Sequence, residues 1–381
     1  MENQILVDLL KHLVKAKSIY PEENHLTRWL VDFFGKNGLR VKKQKVEKNR
    51  YNLLIERGTG KKSILLYSHL DTVGITSGWS TNPFRLTFKK GKAYGLGAWD
   101  MKGGMAANIL TFLTCQPKNI KLKLAFCVDE ENISKGTYEL IKSNFMSDVD
   151  CVISTEPAFR YGLHGIVTGR IGRAVYNVQI KGMAKHYNLY EPGIDPRIIA
   201  SEFIQSLKKL NLKKNGKKQF VFVRSSESKA IGMSIPERID IQLDSAILPP
   251  LTHQEMLMKL RNLARKIVVG YKNYFSLKIN FIKRDTPFLN SYVINKNNAY
   301  LLSLKKTVKK ILGKNAMPYF RSSVADENIF GANGITVLGI GPEGGNAHSP
   351  NEWVSLDSIK KLNKILLNFL AKVDNNSLVI S

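Results

Sequence analysis

At 381 residues the chain is longer than one ordinary hydrophobic core organises, and it suits two domains. Hydrophobic residues make up 43% and charged residues 23%, which excludes a disordered chain, and no run approaches the ~18 apolar residues of a membrane span. Lysine and arginine outnumber aspartate and glutamate 58 to 31, for a formal charge of +27, so a polyanion-binding role has to be weighed.

In chain order, two amphipathic helices come first. One carries Ile5, Leu6, Leu9, Leu10, Leu13 and Val14 on a single face, and the other carries Leu26, Trp29, Leu30, Phe33 and Phe34. This charged, periodic N-terminus lacks the uninterrupted apolar core of a secretory signal, which points to a soluble cytoplasmic protein. Short apolar runs follow, of the kind expected for strands buried on both faces: 52–55, 63–67, 122–128, 149–154 and 335–340. Helical patterns at 105–114 and 137–145 lie between them, and a last helix over 356–373 follows Ser355 as N-cap. The alternation predicts an α/β domain with a mostly parallel sheet.

From about Gly169 the pattern changes. Alternating residues at 173–181, a helix at 197–210, strands at 219–223 and 238–244, a capping box at Thr252 and Glu255 opening a helix to about Val268, and a strand at 274–282 give the order β-α-β-β-α-β. That is a ferredoxin-like α+β unit inserted into the α/β domain. The expected domains are residues 1–168 and 284–381 together, with 169–283 as the insertion.

The basic charge does not organise into a nucleic-acid site. Of the 58 cations 43 are lysine, scattered as short pairs such as Lys42-Lys43 and Lys309-Lys310, whereas base and phosphate recognition favours arginine forks. Only Lys213 to Lys218 cluster, where a loop is expected. A solvated surface that attracts small anions is the reading. Cys115, Cys127 and Cys151 have no CxxC spacing, which argues against a disulfide framework or a thiolate zinc site.

The acids and histidines fall at strand ends. His69 and Asp71 follow the strand at 63–67, Asp129, Glu130 and Glu131 follow 122–128, and Glu156 follows 149–154. Asp100 lies in a Gly-rich loop and His348 in the loop after 335–340. Loops beyond the carboxyl ends of parallel strands converge on one crevice, so these groups would meet. That many carboxylates repel unless a divalent cation, or a pair, joins them. Two histidines among carboxylates suit Zn2+, with Co2+ or Mn2+ as alternatives, better than Mg2+.

The motifs SHLDTV, WSTNP, YGLGAWDMKGG, DEE with Gly136, STEP, Gly182-x-x-x-His186 and AHSPNEWV resemble those of the co-catalytic di-zinc amidohydrolases and metallopeptidases. That family includes acetylornithine deacetylase, succinyl-diaminopimelate desuccinylase, glutamate carboxypeptidase and aminoacylase. The resemblance covers nearly the whole chain. It implies two Zn2+ ions, one on His69 and Glu156, the other on His348 and Glu131, with Asp100 bridging. Asp71 corresponds to the acid that orients the His69 imidazole, and Glu130 to the general base. His186 corresponds to the histidine that steadies the oxyanion, often from a partner subunit. The insertion corresponds to the family's lid, which commonly dimerises. The expected reaction is hydrolysis of an N-acyl amino acid of the acetylornithine or succinyl-diaminopimelate type, with a di-/tripeptidase or carboxypeptidase as the nearest alternative.

Two positions depart from the family pattern. Met233 stands where relatives carry an Asn, and Ala246 where they carry an Arg, both used on a substrate carboxylate. Arg321 is the first candidate to replace them, with Arg170 and Arg173 behind it. Of the remaining histidines, His12, His25 and His253 read as helix-surface or cap positions, and His164 has no assigned role. A basic polyanion-binding protein and a lid-mediated structural dimer are the non-catalytic alternatives. The full set of acids and histidines argues against the first, and an inactive metal-replete preparation would favour the second.

Overall fold

The computed structural model describes residues 2–157, 159–191, 195–214, 216–271 and 276–378. The chain divides into two compact units. One comprises Met1–Gly169, Val293–Arg321 and Ala325–Ser381, and the other Arg170–Tyr292 with Ser322–Val324.

In the first unit the strands form a sheet of order Lys42–Glu47, Arg50–Arg57, Ile120–Cys127, Lys62–His69, Cys151–Ser154, Thr336–Gly339, Gly165–Arg170, Tyr292–Val293. Its centre is parallel: Lys62–His69 runs alongside Ile120–Cys127 on one side and Cys151–Ser154 on the other, and Thr336–Gly339 continues the direction. One margin is antiparallel, because Arg50–Arg57 pairs with Lys42–Glu47 through a tight hairpin and, on its other side, with Ile120–Cys127. The sheet is therefore mixed, with the parallel strands where the ligand-bearing loops leave it.

Both faces of the central strands are covered, which explains their continuous apolar runs. Ile64, Leu66, Leu122, Leu124 and Phe126 join a cluster with the helices Glu2–Lys15, Asn24–Lys36, Gly104–Thr114 and Leu356–Asp374. Leu65, Tyr67, Ala125 and Cys127 point the other way and are equally buried. There Tyr67 meets Thr137 of the helix Lys135–Ile141 and, edge-on at 5.2 Å, Phe330 of the helix Glu327–Ala332. Each fully buried leucine or isoleucine contributes roughly 1.5–3 kcal/mol, so a charge within the run 63–67 would be fatal to the sheet. Ser355 caps the last helix as expected, accepting from the Ser358 N–H.

Two features of this unit escaped the sequence reading. Ala299–Leu312 is a helix capped by Asn298 and packed on the last helix. A small antiparallel sheet of Thr87–Lys89, Lys92–Tyr94, Trp353–Ser355 and Gly344–Gly345 holds the loops that carry Asp100 and His348.

The second unit is a five-stranded antiparallel sheet of order Leu212–Lys214, Lys217–Ser228, Arg238–Ile247, Gly172–Lys181, Ser276–Phe281, with helices Pro196–Ser206 and His253–Val268 packed on it. Without its first strand this is the split β-α-β order. The Thr252–Glu255 capping box is present in both directions. Lys213–Lys218 is not a loop: Lys213 pairs with Lys218 and Lys214 with Lys217 across a hairpin turn. Of the strand expected over 274–282, Tyr274 and Phe275 lie outside the described residues. The unit ends at Tyr292 rather than at 283, because Phe288 belongs to its core and the Leu289 carbonyl accepts from the Arg173 N–H.

Candidate metal centre

The first unit brings His69, Asp100, Glu130, Glu131, Glu156 and His348 together. Ligand atoms of His69, Asp100 and Glu156 lie within 4.8 Å of one another, and so do those of Asp100, Glu131 and His348. Asp100 is common to both sets, and it presents a different oxygen to each. Its Oδ1 is 3.4 Å from His69 Nε2, and its Oδ2 is 3.4 Å from His348 Nε2. Glu156 Oε1 completes the first set at 3.1 Å from His69 Nε2, and Glu131 Oε1 the second at 3.0 Å from His348 Nε2. His69 Nε2 and the carboxylates of Glu130 and Glu131 form a third group within 4.8 Å.

Backbone placement follows from the fold. His69 ends a central strand and Glu156 follows its neighbour by two residues, so hydrogen-bonded ladders place these two, whereas Glu131 lies four residues past the strand on the other side. Gly136 and Gly341 allow close approach here. A Cβ at Gly136 would lie 2.2 Å from the Val128 carbonyl, and one at Gly341 would lie 2.1 Å from the Glu156 carbonyl.

Asp71 acts differently from expectation. The His69 Nδ1–H donates to the Asp71 backbone carbonyl at 2.9 Å, which leaves Nε2 as the coordinating nitrogen. The Asp71 carboxylate is 3.8 Å away and instead accepts the N–H groups of Glu130 at 3.2 Å and Glu131 at 2.9 Å. It therefore holds the loop that carries Glu130 and Glu131, while its main chain orients the imidazole. Burial pushes this carboxyl up to about 7.

The donor set fits divalent cations. Four carboxylates face two imidazoles, and the buried Glu156 Oε1 has the His69 imidazole 3.1 Å away. Burial and the neighbouring Glu156 charge push Glu130 well above the carboxylate range. For Asp100, burial is outweighed by hydrogen bonds from His348 and His69, which hold it below that range. Hydrogen bonds to Asp100 and Glu131 push His348 up to about 10. His69 is also raised, its burial overcome by Asp100 and Glu156. Imidazole protons here occupy places that cations would take.

The arginine candidates separate. Arg321 donates to the Pro157 carbonyl at 3.2 Å, stacks 4.1 Å over Phe159 and lies 3.9 Å from Glu156 Oε2, at the edge of the centre. Arg173 forks onto Asp244, and Arg170 is buried against Ser323. Met233 is exposed. His186, in the second unit, is exposed with Nδ1 2.7 Å from Asn188 Oδ1.

Two residues with consequences for the site were missed. Glu352 is buried beneath the Asp100 loop, and Arg50 is buried beneath the Asp129–Glu131 loop. Arg50 carries no sequence signal beyond a charge next to an apolar run, and Glu352 lies within the motif AHSPNEWV without a role being read from it.

The sequence model of peptidase family M20/M25/M40 matches residues 65–372. The chain belongs to this family. It is 23% identical over 370 residues to a succinyl-diaminopimelate desuccinylase of Sulfurovum sp., covering 94% of this chain and 96% of the relative. It is also 29% identical over 239 residues to a probable succinyl-diaminopimelate desuccinylase of Staphylococcus aureus. That match spans 61% of this chain and only 59% of the relative's length. Among solved structures, a Staphylococcus aureus tripeptidase superposes with a TM-score of 0.79 at 18% identity, over 98% of this chain and 99% of the other. The protein is thus a metallohydrolase of the M20 family with that family's fold. No helix among the described residues is long and apolar enough to cross a membrane.

Proposed function

We propose that the protein hydrolyses the amide bond of an N-acyl amino acid, of the acetylornithine or succinyl-diaminopimelate type, at a two-metal centre. The observation that carries this reading is Asp100, whose two oxygens each face a separate His–Glu pair. One cation would be held by His69, Glu156 and Asp100, the other by His348, Glu131 and Asp100. The donor set favours Zn2+, with Co2+ or Mn2+ able to substitute. Bound there, the cations supply Lewis acidity at a carbonyl and make water a stronger acid.

The chain's own groups do the rest. Glu130 takes the proton of the attacking water and delivers it to the leaving nitrogen, a role suited to a carboxyl whose proton affinity is raised by burial. Asp71 holds the Glu130 and Glu131 N–H groups and so fixes where that carboxylate points. His186 is assigned to the developing oxyanion, and Arg321 to a carboxylate or acyl oxygen of the substrate. The second unit serves as lid and homodimer contact, a reading supported by Phe220 and Phe222 exposed side by side on its strand Lys217–Ser228.

A second reading, a di- or tripeptidase, is favoured by Met233 and Ala246, which cannot bind a substrate carboxylate. The deciding experiment is a panel of N-acetyl-, N-succinyl- and dipeptide substrates, assayed after chelation and again after adding Zn2+ or Co2+. Metal-restored release of an acyl group supports the first reading, and release from dipeptides alone supports the second. No metal-dependent release from any member overturns both.

A further inference from the structure

We propose that Glu352 is the positioning residue of the metal centre. Its buried carboxylate sets the direction of the Asp100 side chain, so both metal pockets depend on a residue that belongs to neither. This rests on the two-metal reading of the site.

The argument starts from how each ligand is anchored. His69 ends a central strand and Glu156 follows the neighbouring strand by two residues, while Glu131, four residues past its own strand, has its N–H held by the Asp71 carboxylate. Asp100 has no such support. It sits in the Gly-rich segment before the helix Gly104–Thr114, with non-helical φ −112° and ψ 93°, next to Gly97 at φ 71°. A side chain shared by two cations has the strictest orientation to meet and here starts from the least constrained backbone.

Glu352 supplies the missing constraint. Its Oε2 accepts the Gly97 N–H at 2.7 Å, and its Oε1 accepts the N–H groups of Trp99 and Asp100, both at 2.8 Å. Its own carbonyl accepts the Gly95 N–H at 3.0 Å. Three charge-assisted bonds on one carboxylate 1% exposed are among the stronger local restraints a protein can build. One of them falls on the amide of the bridging residue itself.

Glu352 also reaches the other loop-borne ligand. It lies four residues beyond His348 and is followed directly by Trp353, which pairs with Tyr94 in the small sheet. One residue thus ties the His348 loop to the Asp100 loop. The two residues that neither the central sheet nor Asp71 holds are held to each other.

The test uses the full chain carrying Glu352→Gln or Glu352→Ala, with His348→Ala as the single-site comparison. Each protein is stripped with chelator, checked by circular dichroism for parental secondary structure, and titrated with Co2+ against a competing chelator, following Co2+ absorbance. The parent should bind two equivalents; if it does not, the two-metal reading fails before Glu352 is judged. His348→Ala should weaken one of the two steps. Glu352→Ala should weaken both by about 10–100-fold and shift the Co2+ spectrum of each. Glu352→Gln keeps shape and one acceptor oxygen, so it should be intermediate, and it keeps the test open if the alanine variant does not fold. Glu352 variants with parental affinities at both steps, or with only one step weakened, overturn the proposal.

Discussion

Replacing Arg50 by Met tests whether the acids behind the metal centre depend on a single cation. Arg50 begins the strand Arg50–Arg57 and is 5% exposed. Its Nε and Nη2 fork onto Glu23 at 3.0 and 2.6 Å, and its Nη1 reaches Asp129 at 2.9 Å and Glu47 at 2.7 Å. Glu23 is 1% exposed and Asp129 is fully buried, whereas the Glu47 side chain is 35% exposed. The half-open Glu47 pair is worth at most about 1 kcal/mol. Glu23 and Asp129 are another matter, since removing one partner of a buried pair costs about 3–5 kcal/mol by stranding the other charge. Methionine fills most of the volume, so the loss is electrostatic rather than a cavity, and about 3–5 kcal/mol is the expected total.

Urea denaturation of the metal-free protein, followed by tryptophan fluorescence, reads this loss cleanly. Trp29, Trp79, Trp99 and Trp353 are the only tryptophans and all lie in the first unit, so the signal is not mixed with unfolding of the second. Chelation removes the stabilisation that bound metal would add. Arg50→Lys should recover only part of the loss, since an ammonium cannot fork. Unfolding within about 1 kcal/mol of the parent at pH 8 would refute the reasoning.

Glu130→Ala should still bind two metal equivalents by elemental analysis while turnover falls about 10²–10⁴-fold; parental turnover would sink the base assignment. His69→Ala should lose one equivalent and keep the other. Because His348 is raised to about 10 by Asp100 and Glu131, and His69 is raised as well, metal binding should release protons. Apparent affinity should climb with pH towards about 10, which a weakly buffered dye titration would detect. Lys102 is buried, and that burial lowers it from 10.5 to about 7, so the folded state loses stability as pH falls between those values. Lys102→Met should remove that loss and be more stable than the parent at pH 6 by on the order of 1–2 kcal/mol; an unchanged or lower urea midpoint would count against it.

What could be read beforehand follows a physical division. The central strands announce themselves because burial on both faces forces runs such as 63–67, and ligands at their ends inherit a predictable position. Lys42–Glu47 has no apolar run, since it is a half-exposed edge with a single neighbour. The hairpin at Lys213–Lys218 looked like a loop because its residues are exposed and carry no alternation to read. Ala299–Leu312 does carry helical spacing, with Leu301, Leu304 and Val308 buried, and it was legible though unread. Arg50 was not legible, and Glu352 was legible only as part of AHSPNEWV, not in its role. A charged residue beside an apolar run has the same local sequence whether it is solvated or buried on a partner distant in the chain.

Those two residues belong to a wider imbalance that the net charge conceals. The chain carries +27, yet the buried charged side chains of its first unit are chiefly acids: Glu23, Asp71, Asp100, Asp129, Glu156, Asp326, Glu327 and Glu352. Against them the same unit buries only Arg50, Lys102 and Lys123 among its arginines and lysines, and Lys123 is engaged by Asp148, away from the centre. Asp129 and Glu23 are answered by Arg50, Glu352 by three amides, Asp71 by two, and Asp326 by Tyr67 and Thr137. Asp100 and Glu156 have only the two imidazoles and Arg321 close by. Surface lysines cannot make up the difference, because solvent and salt screen them beyond about 8–10 Å. A basic protein with an acidic heart therefore leaves Asp100 and Glu156 short of fixed cations, at the place where His69 and His348 converge.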